Sequence, residues 1–134
     1  MGRGGEKLMK RKTKKNLIKE LDRVYSLWLR KSHSVDGIVQ CYTCHQWLPI
    51  NKMDCGHYWS RKHMATRWYE KNTKPQCRYC NRFSEGNKPA FAMQLINEYG
   101  SDILNILEFK AKAPCKFELF ELEEKIKFYK EKLK

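Results

Sequence analysis

Apolar residues recur at helical spacing between positions 14 and 31, where Leu17, Leu21, Val24, Tyr25 and Trp28 share one face and Lys and Arg cover the other. This pattern predicts a first amphipathic helix, broken at residues 32–37. From 38 to 60 the rhythm shortens. Val, Ile, Tyr and Trp cluster around C-Y-T-C and around Pro49-Ile50-Asn51, which predicts two short strands about a cysteine knuckle. Residues 76–83 are expected to form a short helix opening at a second C-x-x-C and ending at Gly86. Residues 89–99 predict a further helix closed by Gly100, and residues 101–109 another with Ser101 as its N-cap. Beyond Pro114 a long helix is predicted over 117–133. Its apolar positions Leu119, Leu122, Ile126, Tyr129 and Leu133 suit either a coiled-coil seam or a stripe packed on its own domain. No internal repeat is present.

Charge adds a partner to this picture. The 134 residues carry 28 Lys and Arg against 15 Asp and Glu, a formal net charge of +13. So large an excess on one domain-sized chain points to a polyanion, and nucleic acid is the usual one. The excess sits in residues 1–32, with eleven basic and three acidic groups, and in residues 56–100, with eight and three. Residues 1–12 read as a mobile basic arm suited to a phosphate backbone. The arm is not followed by an apolar stretch, which excludes a secretory signal and favours the cytoplasm. No apolar run is long enough to span a membrane.

Six cysteines in a reducing compartment point to metal rather than disulfides. Cys41/Cys44 and Cys77/Cys80 are two C-x-x-C pairs separated by 32 residues, a spacing that brings four thiolates around one tetrahedral Zn²⁺. Four thiolate ligands leave no position for water, so such a zinc is structural and supplies folding free energy that a small core lacks. His45, beside Cys44, is not needed as a ligand. Cys55 reads as a buried free thiol, and Cys115 as structural or incidental.

Between the pairs lie His57, Asn72 and Asn81: a His at the end of a predicted strand, an Asn in the next loop, and an Asn directly after the second C-x-x-C. This constellation resembles the HNH, or ββα-metal, nucleases, in the zinc-stapled branch that includes endonuclease VII-type Holliday-junction resolvases. The closer likeness is to the lambda-type phage NinG (Rap) recombination proteins. It is carried by G-H-Y with a following Ser, T-R-W, N-x-x-x-Q-C-x-x-C-N and S-x-G-N, over about residues 38–100.

The resemblance implies a DNA endonuclease of phage recombination that hydrolyses branched DNA of Holliday-junction or flap type. His57 has the side-chain pKa range of a general base. Asn72 is expected to brace the loop and orient the His57 ring. Asn81 is expected to offer its amide oxygen to a catalytic Mg²⁺ or Mn²⁺. Where the family often has an ion-binding Asp or His before the base, this chain has Gly56. Asp54, two residues back on the same strand face, is the favoured substitute carboxylate, and Glu85 is the other candidate. Arg61, Lys62 and Arg67 are placed to hold phosphates, Arg67 foremost; His63 reads as a surface histidine.

The reading is an α+β chain: basic arm (1–12), N-terminal helix (13–37), zinc-bound HNH core (38–100) and helical extension (101–134), the last a possible homodimer interface. The competing reading is a non-catalytic zinc module that binds nucleic acid, with Trp59, Trp68 and Tyr69 as stacking or packing groups. A helical adaptor would explain the last quarter alone.

Overall fold

The computed structural model describes residues 12–134; apart from Lys12, the basic arm lies outside the described residues. Helix α1 (Lys14–Ser32) opens at Thr13, whose hydroxyl accepts a hydrogen bond from the Asn16 N–H. It buries Leu17, Leu21, Val24 and Tyr25 of the predicted face together with Leu29, while Trp28, the fifth residue expected there, is half-buried. Strands β1 (Ile38–Gln40) and β2 (Trp47–Pro49) form an antiparallel hairpin around Cys41 and Cys44. A short helical turn, Ile50–Lys52, leads into β3 (Met53–His57).

β3 pairs antiparallel with β4 (Thr73–Cys77), in a register that places Met53 opposite Cys77 and His57 opposite Thr73. The connection between them carries the short helix α2 (Met64–Arg67). A π-helical turn, Tyr79–Phe83, follows β4, and then come α3 (Lys88–Tyr99), α4 (Ile103–Lys112) and α5 (Leu119–Lys132). Among the described residues no helix is long and apolar enough to cross a membrane.

Four expectations change. Residues 38–60 hold three short strands, β1, β2 and β3, where two were expected, because the turn Ile50–Lys52 separates β2 from β3. The helix anticipated at 76–83 is instead the end of β4 followed by the π-helical turn. All five residues of β4 are buried, so polar and apolar residues do not alternate along it and no strand signal appears in the sequence. α4 starts at Ile103 after Asp102, without the side-chain cap expected from Ser101. α5 starts at Leu119, where Glu118 and Glu121 form a reciprocal capping box.

The alternatives for the last helix resolve in favour of its own chain. Leu122, Ile126 and Tyr129 pack on Leu17, Leu21, Val24 and Tyr25 of α1, with Leu119 and Leu133 at the margin. Tyr129 meets the Tyr25 ring edge-on at 4.9 Å. Glu20 accepts from both Lys12 and Lys130, which pulls its carboxyl down to about 2. The stripe is therefore spent within the molecule. A second cluster surrounds the cysteines, and a third packs Phe91 and Leu95 of α3 on Ile103 and Leu107 of α4. β3 and β4 both contact α1, and Lys74 of β4 with the Tyr99 hydroxyl and Lys88 with the His57 carbonyl tie them to α3.

Candidate active site

The two cysteine pairs come from the ends of the two hairpins. Cys41 and Cys44 sit in the turn after β1, whose tightness is set by Cys41 N–H donating to Gln46 O and His45 N–H donating to Cys41 O. Cys77 ends β4 and Cys80 lies on the π-helical turn. The four sulfurs all lie within 4.8 Å of one another, and Cys44 Sγ and Cys77 Sγ are 3.7 Å apart. Zn–S bonds of about 2.3 Å in a tetrahedron put sulfurs about 3.8 Å apart, so the cage could hold a structural zinc ion.

Its surroundings fit that charge. Gln76 Nε2 donates to the Thr43 hydroxyl at 3.0 Å, which leaves the hydroxyl proton for Cys41 Sγ at 3.4 Å. Burial opposes charge at Cys41, but the Thr43 hydroxyl and main-chain N–H groups outweigh it and bring the thiol down to about 6. Burial pushes Cys44 up to about 12 and raises Cys77 as well. Four thiolates this close repel one another, and a bound cation would offset that repulsion. His45 turns away and meets Gln94 of α3.

β3 also lines a cleft of about 490 Å³. His57, Asp54 and Asn81 line it together, with Asp22 of α1, Arg61, Arg82 and Lys88 around them. His57 Nε2 lies 2.9 Å from the Arg67 main-chain oxygen. A carbonyl oxygen only accepts, so Nε2 carries the proton and the Nδ1 lone pair is free of it. Burial, partly offset by the Arg67 hydrogen bond, lowers the ring's pKa to about 4, so the imidazole is neutral at pH 7. Lys88 Nζ caps the end of β3 by donating to the His57 and Tyr58 carbonyls at 2.5 and 2.6 Å.

Asn72 is fully buried and braces the loop. Its Oδ1 accepts from the Trp59 N–H, and its Nδ2 donates to the Trp59 and Thr66 carbonyls. It does not touch the His57 ring; it fixes the segment whose Arg67 carbonyl does.

Asn81 Nδ2 donates to Asp54 Oδ2 at 3.0 Å, and Arg82 donates to both Asp54 oxygens at 2.9 and 3.0 Å. Gly56 has no room for a side chain: a Cβ there would lie 2.0 Å from Gln76 Oε1. The cross-strand glutamine occupies that space, and of the two candidate ion ligands Asp54 and Glu85 it is Asp54 that lines the cleft. Glu85, the other candidate, does not line the cleft. The helical turn ends before it, and its backbone is left-handed at φ 49°.

The phosphate-binding residues also rearrange. Arg67, the foremost candidate, is committed internally. Its Nη2 and Nε donate to Asp22 at 2.6 and 3.1 Å, and its Nη1 donates to the Arg61 carbonyl. Asp22 also accepts from Trp68 Nε1 at 3.0 Å and pairs with Arg61 at 3.4 Å. Arg61 nevertheless stays exposed, as does Lys62. His63 packs its ring edge-on against Trp59. Trp68 is buried beside α1, while Trp59 and Tyr69 pack against the α3–α4 cluster. Cys55 is a free, half-buried thiol at the cleft wall, and burial pushes it up to about 12. Cys115 is free and half-buried in the α4–α5 linker.

Asp22, Arg82 and Lys88 were not singled out from sequence. Asp22 carried one signal: it and Glu20 are the only acids in a strongly basic helix.

The family model described as the bacteriophage lambda NinG protein matches residues 4–134. The chain belongs to that family. NinG membership places it among phage proteins and supports the recombination-related role expected from the resemblance. The match extends over α1 and α5, beyond residues 38–100, where the motif likeness ended. No curated protein and no solved structure matches the chain.

Proposed function

We propose that this NinG-family chain is an HNH-type, metal-dependent DNA endonuclease that cuts branched DNA in phage recombination. The observation that carries the reading is the state of His57: a neutral ring with its proton fixed on Nε2 by the Arg67 carbonyl, in one cleft with the adjoining Asp54 and Asn81. Strand, braced loop, strand and helical turn supply these groups in the order that a ββα-metal site uses them.

In this mechanism His57 Nδ1 takes the proton from the attacking water. Asp54 and the Asn81 amide oxygen are the chain's hard oxygen donors for Mg²⁺ or Mn²⁺, which when bound stabilises the charged transition state and the leaving 3′ oxygen. Asp54 must first give up part of its pairing with Arg82, which frees that guanidinium for a phosphate. Arg61 and Lys62 hold flanking phosphates. Asn72 keeps the Arg67 carbonyl in place, and zinc on the four cysteines anchors both hairpins.

Two symmetric cuts at a four-way junction call for two active sites, so the working form is a C2 dimer. Its interface lies away from the α5 stripe, which α1 covers. A monomer by light scattering, with and without junction DNA, would remove the dimer.

The Asp54–Arg82 pair also favours a second reading, a zinc-stabilised DNA-binding module without catalysis, because it closes the carboxylate that an ion requires. The test is cleavage of matched four-way junction, flapped and linear DNA with Mg²⁺ or Mn²⁺, by wild type and His57→Ala. Cutting of branched DNA that disappears in a zinc-loaded, DNA-binding His57→Ala supports the endonuclease. Equal cutting of linear DNA keeps the enzyme but removes the preference for branches. No cutting by folded, DNA-binding wild type selects the binding module.

A further inference from the structure

Tyr79 and Phe83 hold the first and last positions of the π-helical turn and are 68% and 77% exposed. Their ring centroids lie 6.3 Å apart, with the planes tilted by 31°. The residues between them are engaged elsewhere: Cys80 in the sulfur cage, Asn81 and Arg82 on Asp54. Two large rings thus stand side by side in water and contribute little to any core. Scattered exposed aromatics are ordinary, but an adjacent pair on a π-helical turn beside a cleft is not.

The surroundings indicate what would cover them. The flanking Arg78 and Arg82 side chains are 45% and 57% exposed. Phe83 also lines a hollow of about 300 Å³ with Ser84, Glu85, Lys88 and Pro89. Lys88 is shared with the candidate active-site cleft, so hollow and cleft adjoin through one cation. Arg78 donates to the Asn51 carbonyl and Arg82 to Asp54, so both cations stay close to this turn. Exposed rings with cations nearby suit an unpaired nucleobase and its phosphates: stacking is tolerant of base identity, and the charges attract the backbone. A fully paired duplex keeps its base faces inside the stack and offers nothing to these rings.

We propose that Tyr79 and Phe83 form a stacking platform for unpaired DNA bases beside the cleft, so that the preferred substrate carries a single-stranded segment next to the cut. This rests on the endonuclease reading of the cleft and narrows its substrate class.

The experiment measures binding, so its outcome is separable from catalysis. Zinc-loaded protein in Ca²⁺ is titrated by fluorescence anisotropy against three labelled DNAs: a blunt duplex, the same duplex with a single-stranded tail, and that tail made abasic. Wild type should bind the normal tail more tightly than the abasic one by about tenfold or more, although both tails carry the same phosphates. Tyr79→Ala/Phe83→Ala should erase that difference and leave blunt-duplex affinity unchanged, whereas Tyr79→Phe/Phe83→Tyr should keep it. Equal affinity of wild type for normal and abasic tails overturns the platform without reference to any variant. A double-alanine protein that still discriminates overturns it too, as does one that loses blunt and tailed DNA equally. A platform that discriminates in a protein that never cuts would leave stacking intact and remove the nuclease alone.

Discussion

Arg67 and Asp22, 45 positions apart in the chain, are joined by two hydrogen bonds of 2.6 and 3.1 Å. The same Arg67 presents its main-chain oxygen to His57. An acid on α1 thereby holds the loop that sets the proton position on the candidate base, although helix and base belong to different parts of the fold.

Asp22→Asn should therefore act on both stability and cleavage. The pair is only partly shielded, at 17% and 18% side-chain exposure, so its loss is expected to cost about 2 kcal/mol, between exposed and buried pairs. Cleavage should fall further than the unfolded fraction explains, measured at a temperature where the variant is fully folded. Unchanged turnover in folded Asp22→Asn would show that the loop keeps its place without the pair.

The lowered pKa of His57 has a defined sign in stability. The ring titrates near 4 when folded against an ordinary value of 6.5. Between those values the unfolded chain binds the proton and the folded chain does not, so stability is present above 6.5 and is lost as pH falls toward 4. From pH 7 to pH 5 this amounts to about 2 kcal/mol. Urea midpoints for wild type and His57→Gln at both pH values should show a smaller acid loss in the variant. Any effect of acid on zinc is common to both proteins, so equal losses would place the ring in a solvated environment.

Gly56→Ala should destabilise by about 1–3 kcal/mol, because its Cβ meets Gln76 Oε1 at 2.0 Å. Gln76→Ala alone loses the hydrogen bonds to Thr43 and Gly86. Combined, the two changes should cost less than their sum, since each relieves part of what the other imposes. Thermal unfolding of the four proteins of this cycle reads the coupling; strict additivity would mean that the strand shifts to admit the methyl group.

One zinc per chain is expected from atomic absorption. It should persist in Cys55→Ala and Cys115→Ala and be lost in Cys77→Ala. Chelation should unfold the hairpins, since apparent zinc affinities of about 10 kcal/mol or more exceed what such small sheets supply. A chelated protein with an unchanged melting curve would contradict a structural ion.

What the sequence showed plainly was local. Paired cysteines, the stripes of α1 and α5, and Gly100 closing α3 are patterns within a few residues of one another. β4 was hidden because its partners are distant. Lys74 is buried since Glu98 and the Tyr99 hydroxyl receive its ammonium, and Gln76 since Thr43 and Gly86 receive its amide. Arg67 looked like a phosphate ligand for the same reason: nothing near it in sequence announces Asp22. His57, Asp54 and Asn81 line one cleft, whereas Glu85 is turned away by a left-handed backbone that local helical spacing does not foresee.

The packing of α5 on α1 bears on genetics. Tyr25 reaches from α1 to Thr73 of β4 with a 2.8 Å hydrogen bond, while Leu21 and Val24 beside it depend on Leu122 and Ile126 for their cover. A premature stop codon just before residue 119 would strip that cover and loosen the wall that carries Asp22, without deleting one residue of the cleft. A null phenotype from such a truncation would thus report a collapsed scaffold, and mapping a partner-binding region by C-terminal deletion would mistake the scaffold for the partner's site.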